Sequence, residues 1–405
     1  MSGALFVLPA YPGRSASVDP FWITADGLTR ALATELDGAD ILTPAGMLPG
    51  GDVAARALGE HRPSAGRRAV RRLPTFLRPM AGDLRAWRRA RAFRTMAVSV
   101  PSGPYRLVVQ LHRRFHDAGR VVARRSAAPF VLKVEALEVR EEEAWGVRRL
   151  GWRRLVESKG EVRIFRSADL LAPISPEVDA HLAGLGIPED RRVLLPSAVD
   201  TEMFSPGPPD PGLRAIVGPA PFVAGWVGGM RPFHGLDMVP EVTRALRAQV
   251  PGAVLALVGS GPLRPWLDEV AGDGIRPVDP VPHREVGSWL RTFDACVLLS
   301  GGADFHYSPL KLYEYLASGR PVVAPRIGEM AGLLTDGRDA LLVPPGDPGA
   351  VASALARLAG NPVLAERIGR AGRELAERQG SWRSRARTLL DALATRGLLE
   401  RSRHG

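Results

Sequence analysis

SGGADFHYSPLKLYEYLASGRPVVAP (300–325) holds a complete strand-to-helix-to-strand transition, and its reading decides the fold. The apolar run ACVLL (295–299) ends just before it, and a polar glycine loop follows. Ser308-Pro309 then opens a helix that carries Leu310, Lys311 and Glu314. Serine is a favoured N-cap and proline a favoured first helical residue. PVVAP (321–325) reads as the next strand. In a parallel α/β sheet the N–H groups opening such a helix point into the crevice at the carboxyl ends of the strands, where phosphate oxygens bind. Lys311 adds a cation there, and Glu314, one turn on, can accept hydrogen bonds from a ribose diol. The alternative for the same residues is an ordinary strand–helix unit with an exposed salt bridge.

The alternation continues in both directions. Short apolar runs stand at ALFVLP (4–9), RLVVQL (106–111), FVLKV (130–134), DLLAP (169–173) and RVLLP (192–196). They recur at FVAGWV (222–227), AVLALV (253–258) and ALLVP (340–344). Runs without polar alternation suit strands buried on both faces. Between them, Val239, Val242, Leu246 and Val250 recur at the spacing of one helix face. The predicted fold class is therefore α/β, with two Rossmann-like parallel-sheet domains. SPGPPDPG (205–212) marks a boundary, since its prolines and glycines can continue neither a helix nor a central strand. The expected organisation is an N-terminal domain over 1–205, a linker at 206–212 and a C-terminal domain over 213–380. A C-terminal helix and tail at 381–405 are expected to pack on the N-terminal domain.

Composition excludes several classes. The chain has 405 residues, mean hydropathy near zero and a single cysteine, Cys296, which rules out an internal disulfide framework. Cys296 lies in an apolar run and reads as an inert buried thiol. No stretch is apolar for long enough to span a membrane, and the start MSGALFVLPAYPG lacks the basic leader of a signal peptide. A cytoplasmic protein is expected. The net charge of +11 is carried almost wholly by arginine, and residues 62–94 hold eleven arginines against one carboxylate, Asp83. No nucleic-acid motif accompanies this segment, so nucleic acid is not an expected partner. In LRAWRRARAFRTM (84–96), Trp87 and Phe93 sit among the arginines, which makes 62–94 a candidate for peripheral contact with the inner face of the membrane. An arginine-rich solvent face with the aromatics packed inward is the alternative. The acidic run EVREEEAW (138–145) reads as a solvated helix face. No metal-ligand spacing, Asp-x-Asp or Gly-x-x-x-x-Gly-Lys loop is present, and no metal or cofactor is expected.

SPLKLYEYLASGRPVVA closely resembles the donor-binding segment of retaining GT-B glycosyltransferases of family 4, the group 1 glycosyltransferases, in which a Glu-x7-Glu pattern enters this helix. WVGGMRPFHGLD (226–237) is similar to the family's glycine loop and VGSGP (258–262) to its second glycine turn. VDPVPHREVGSWLRTFDACVLLS (278–300) resembles the stretch with the base-binding loop, and DGRDALLVPPGD (336–347) the last strand and its exit. ADLLAPISPEVDAHLAGLGIPEDRRVLLPSAVDTEMFSP (168–206) resembles the run into the interdomain linker. The resemblance implies a nucleotide-sugar donor held by the C-terminal domain at Gly228, Gly229, His234, Gly259, His283, His306, Ser308, Leu310 and Glu314, with Glu314 in the ribose role. It departs from the family where the first Glu falls on His306, the phosphate-binding Arg on Gly229 and the Lys on His234. Arg231 and Lys311 are the replacement cations for the departing diphosphate.

His112, in VVQLHRRFH, matches a family histidine beside the reacting sugar, which makes it a catalytic candidate with Arg231 and Lys311. A structural histidine is the alternative, and is the preferred reading for His116. In YPGRSAS (11–17), Gly13 and Arg14 resemble the acceptor-side loop, with a plain strand–helix loop as the alternative. The implied function is metal-independent transfer of a sugar from UDP or GDP, with retention, to a small-molecule, lipid-linked or glycan acceptor. A catalytically inactive nucleotide-sugar-binding partner and a nucleotide-sugar 2-epimerase are the alternatives.

Overall fold

A computed structural model describes residues 3–9, 20–49, 74, 77–101, 103, 105–144, 146–300 and 310–400. Gly13, Arg14, His306, Ser308 and most of 62–76 lie outside the described residues. The chain divides into two compact units, one formed by Met1–Pro196 with Arg385–Gly405, the other by Ser197–Ser384.

The first unit is built on a six-stranded sheet in the order β3-β2-β1-β4-β5-β6. Its strands are β1 (Ala4–Val7), β2 (Ala39–Thr43), β3 (Gly46–Pro49), β4 (Leu107–Leu111), β5 (Phe130–Val134) and β6 (Leu170–Pro173). All neighbours are parallel except the β2–β3 hairpin, a pair that the search for apolar runs passes over because Asp40 and Thr43 interrupt ADILT. RVLLP (192–196) is no strand: it makes one isolated bridge, Leu171↔Arg192, and ends at Pro196, which has no N–H to extend a ladder. The C-terminal segment belongs to this unit, where Arg387 Nε meets Glu35 Oε1 at 3.0 Å.

The second unit repeats the plan with a fully parallel sheet in the order β12-β11-β10-β7-β8-β9. Its strands are β7 (Val223–Gly229), β8 (Val254–Ser260), β9 (Ile275–Val278), β10 (Ala295–Val297), β11 (Val322–Pro325) and β12 (Leu341–Val343). Val223 and Val227 pack into one hydrophobic cluster and Ala224 and Trp226 into another, so successive side chains of β7 leave opposite faces and are all buried. That two-sided burial is why the strands read as unbroken apolar runs. The helix Val239–Gln249 buries Val239, Val242 and Leu246, as the spacing predicts. The proline-rich stretch 206–212 lies inside this unit, and its end opens a helix, Pro211–Val217. There the Asp210 carboxylate accepts hydrogen bonds from Gly212 N at 2.8 Å and Leu213 N at 3.1 Å. Cys296 is fully buried, and burial pushes its thiol up to about 12, as an inert residue requires.

In each sheet the strand order reverses beside the first strand, between β1 and β4 in one unit and between β7 and β10 in the other. Ligands of open α/β sheets bind at the carboxyl ends of the strands at such a point.

Candidate functional site

In the second unit the sequence-singled residues converge on the carboxyl ends of β7 and β8. Gly228 pairs with Gly259, and Gly229 with Ser260, at the last rungs of the ladder. Gly228 and Gly259 have φ of +148° and +140°, which disfavours any side chain, and the space is closed as well. A Cβ on Gly259 would lie 2.0 Å from Gly228 O, and one on Gly228 would lie 2.2 Å from Lys311 Cε. Gly228 thus leaves room for the Lys311 stem, and Gly259 for the backbone of Gly228 itself.

That stem belongs to the helix Leu310–Ala317, which Tyr315 pins to β7: Val227 N donates to its hydroxyl at 2.7 Å. The Lys311 ammonium lies 5.2 Å from the centroid of the Trp226 ring and donates to His234 Nε2 at 3.2 Å. His234 sits on a short 3₁₀ turn, Pro232–His234, buried edge-on to Trp226. Burial, then the positive charges of Lys311 and Arg231, push His234 down to about 2, so it is neutral and accepts through Nε2. Burial lowers Lys311 to about 8, with Glu314 opposing and Arg231 adding to the shift. His234 is thus a neutral imidazole to which the fold brings an ammonium from another element. Arg231 is exposed beside Gly229, its Nε 4.0 Å from where a Cβ of Gly229 would be. Two cations thus flank the glycine crossing.

One turn along the helix, the buried Glu314 carboxylate accepts from His283 Nε2 at 2.7 Å. His283 opens the helix His283–Thr292 and its ring packs on Phe204, 5.3 Å away. The structure therefore brings together Gly228, Gly229, Arg231, His234, Gly259, His283, Leu310, Lys311 and Glu314. The His283–Glu314 contact bridges 31 positions of sequence, and no local pattern announces it.

In the first unit, His112 follows β4, and its backbone N–H donates to Lys133 O at 2.8 Å. Its ring is buried against Phe165, with Nε2 3.4 Å from Glu161 Oε1. Glu161 lies on a π-helical turn, Ser158–Val162, a rare geometry frequent at functional sites. The sequence reading missed Glu161, because nothing local marks a π-turn. His116 is buried beside Phe93, and desolvation lowers it to about 4, which keeps it neutral as a structural histidine.

The reading of 138–145 as a solvated face needs correction. Glu138 accepts from Arg114 N at 3.3 Å and pairs with Arg113 at 2.9 Å, while Glu142 pairs with Arg114 and Arg149. Burial, with Glu138 and Glu161 nearby, raises Glu141 to about 7. Charges so dense at one end of a helix read as solvent-facing because their partners are distant in sequence. In the helix Arg78–Ser99, Phe93 is buried and Trp87 remains 44% exposed, with the Arg91 guanidinium 5.7 Å from its ring centroid. Among the described residues no helix is long and apolar enough to cross a membrane, and no cluster of His, Cys, Asp and Glu could hold a metal ion.

Residues 221–361, the segment carrying this convergence, match the family model for glycosyl transferases group 1. The chain carries a group 1 glycosyltransferase domain. Its relatives include a GDP-mannose-dependent alpha-(1-6)-phosphatidylinositol monomannoside mannosyltransferase of Mycolicibacterium smegmatis, 29% identical over 263 residues, covering 61% of this chain and 68% of that protein. A D-inositol 3-phosphate glycosyltransferase of Kribbella flavida is 29% identical over 253 residues, 58% of each chain. The chain thus spans a little under three fifths of the length of this second relative. Among solved structures, HepE of Anabaena in complex with UDP is similar with a TM-score of 0.65 at 14% identity, covering 98% of this chain and all of that one. Sucrose-phosphate synthase of Thermosynechococcus elongatus gives 0.65 at 19% identity, over 97% and 98% of the two chains. At such identities the likeness shows the fold, which is GT-B.

Proposed function

We propose that this protein transfers a glycosyl group from a nucleoside diphosphate sugar, UDP- or GDP-linked, to an acceptor hydroxyl with retention of anomeric configuration. The observation that carries this reading is the Lys311 ammonium held over Gly228 in the group 1 domain, with Arg231 beside it and Glu314 one turn away. In this scheme the backbone at Gly228, Gly229 and Gly259 admits the diphosphate, and Glu314 with His283 takes the ribose diol. The backbone N–H of Leu310, where the helix Leu310–Ala317 opens, would face the phosphate oxygens. As the bond from the anomeric carbon to the diphosphate oxygen breaks, Lys311 and Arg231 stabilise the charge that develops on the leaving group. The acceptor oxygen bonds to the anomeric carbon from the face the diphosphate leaves. The buried His112, oriented by Glu161, would stand beside the acceptor, and Gly13 and Arg14 would contact it. The relatives' printed activities, a GDP-mannose-dependent mannosyltransferase and inositol 3-phosphate glycosyltransferases, support a nucleotide-sugar donor.

Thermal unfolding against a panel of nucleotides and nucleotide sugars tests the reading: the correct base raises the midpoint first, because a ligand of the native state stabilises it by mass action. Turnover of a donor with an acceptor present excludes an inactive binding partner. A new epimer formed from donor alone would instead identify an epimerase.

Glu314→Gln is expected to weaken nucleoside diphosphate binding by about 1.5–3 kcal/mol, the range for a hydrogen bond to a charged group. Calorimetric titration measures it, and unchanged affinity in a folded variant removes Glu314 from the site. Excess EDTA is expected to change the initial rate by less than about twofold, since lysine and arginine take the charge-neutralising role a divalent ion otherwise fills. Abolition by EDTA with rescue by Mg²⁺ would overturn the phosphate scheme.

A further inference from the structure

His234 meets the Lys311 ammonium from a place set by its own packing. The residue is buried, its ring edge-on to Trp226 with centroids 5.6 Å apart and against Phe233 at 4.5 Å. Its backbone N–H donates to Arg231 O at 3.1 Å, and Gly235 follows at φ +64°, which turns the chain away. The imidazole is thus fixed to β7 through Trp226, and the short turn that aims it starts from the second cation, Arg231.

The chemistry of the pair fixes its protons. An ammonium has donors only, so the ring nitrogen 3.2 Å from Lys311 Nζ presents its lone pair, and the ring proton is on Nδ1. A protonated ring would set two cations against each other, and burial with Lys311 and Arg231 keeps His234 neutral. A nitrogen that accepts from an ammonium has no proton to offer a phosphate oxygen. What it can do is favour the charged lysine. Burial first, then Arg231, lower Lys311, and Glu314 on the same helix opposes them. His283 engages Glu314 at 2.7 Å. Two further charged groups meet this helix: Arg373 donates to Ala317 O at 2.7 Å, and Glu329 accepts from the Tyr313 hydroxyl. The imidazole lone pair and the Trp226 face, 5.2 Å from Nζ, are the neutral groups that hold the ammonium charged beside Gly228.

We propose that His234 is a positioning residue, a neutral hydrogen-bond acceptor that keeps the Lys311 ammonium charged and aimed over the glycine crossing. The hold on Lys311 is a property of the second unit alone; its consequence for turnover rests on the transferase reading.

The lysine itself is therefore measured, without donor or turnover. The chain has three lysines, Lys133, Lys159 and Lys311, so side-chain ¹³C labelling of lysine in the full chain gives a short set of resonances, and Lys311→Met identifies the one at issue. His234→Phe keeps a ring but has no lone pair. In it the proton affinity of Lys311 is expected to fall at least about tenfold, the worth of a hydrogen bond to a charged group, with Lys159 unmoved. His234→Gln, whose amide oxygen can stand in for Nε2, is expected to restore the wild-type midpoint. A purely structural role would lower the urea midpoint of both variants and leave Lys311 titrating as in the wild type, and that result overturns the proposal. So does a midpoint in His234→Gln that falls with that of His234→Phe. The wild type gives a reading that depends on no variant's folding. With ¹⁵N-labelled histidine, Nε2 of His234 is expected to be unprotonated at neutral pH and to shift as Lys311 titrates; a protonated Nε2 overturns the proposal. In turnover, His234→Phe is expected to lower kcat with KM little changed, and to move the alkaline fall of kcat/KM towards acid in step with the lysine midpoint. A lowered lysine midpoint in a chain that turns over no donor would leave the hold standing and remove only its part in transfer.

Discussion

Replacing Lys311 by methionine is expected to lower kcat/KM by about 10²–10³, the cost of removing one preorganised group from a developing charge. Binding of the free nucleoside is expected to change little, because the ammonium lies over the glycine crossing rather than against Glu314's partner His283. The loss is therefore expected mainly in kcat, the mark of an interaction made in the transition state. A pH profile gives an independent reading. With Lys311 lowered to about 8, the ammonium present below that value is lost as pH rises through it, and wild-type kcat/KM should fall on the alkaline side. Folding stability should move the other way. Between about 8 and the usual lysine range the unfolded chain holds a proton that the native chain has released, so stability attributable to this group rises with pH. An alkaline loss of activity without loss of stability, absent in Lys311→Met, identifies the group. Full activity in the variant would end the cation-replacement scheme.

Arg149→Met is expected to destabilise the first unit by about 3 kcal/mol, since it removes the fork on the buried Asp83 and leaves Arg114 as the one remaining guanidinium facing both Asp83 and Glu142. Asp83→Asn should also destabilise, and the double variant should lose less than the sum of the two, because the charges removed are each other's partners. Urea unfolding measures all three. Additive losses would mean that Asp83 and Arg149 do not act as a pair.

The alternation of apolar runs with helical spacings made both sheets legible, because strands covered on both faces carry no polar residue to interrupt them. Most of the residues that converge at the ends of β7 and β8 were legible for a local reason. Gly228, Gly229 and Gly259 end strands, and Lys311 and Glu314 lie one turn apart on one helix. Other features were not. ADILT and GMLP pair as a hairpin although they lack the apolar run, and RVLLP has the run without the strand. EVREEEA read as solvent-facing until Arg113, Arg114 and Arg149 were brought to it.

The sequence by itself determined the two-unit α/β plan and the glycine turns, since periodicity and backbone freedom are properties of neighbouring residues. Tertiary structure alone decided which charged groups meet. Lys311 reaches His234 across 77 positions, His112 meets Glu161 across 49, and Arg149 meets Asp83 across 66. The energy of an ion pair or a buried hydrogen bond depends on distance and desolvation in space, and neither is written in the spacing of residues along a chain.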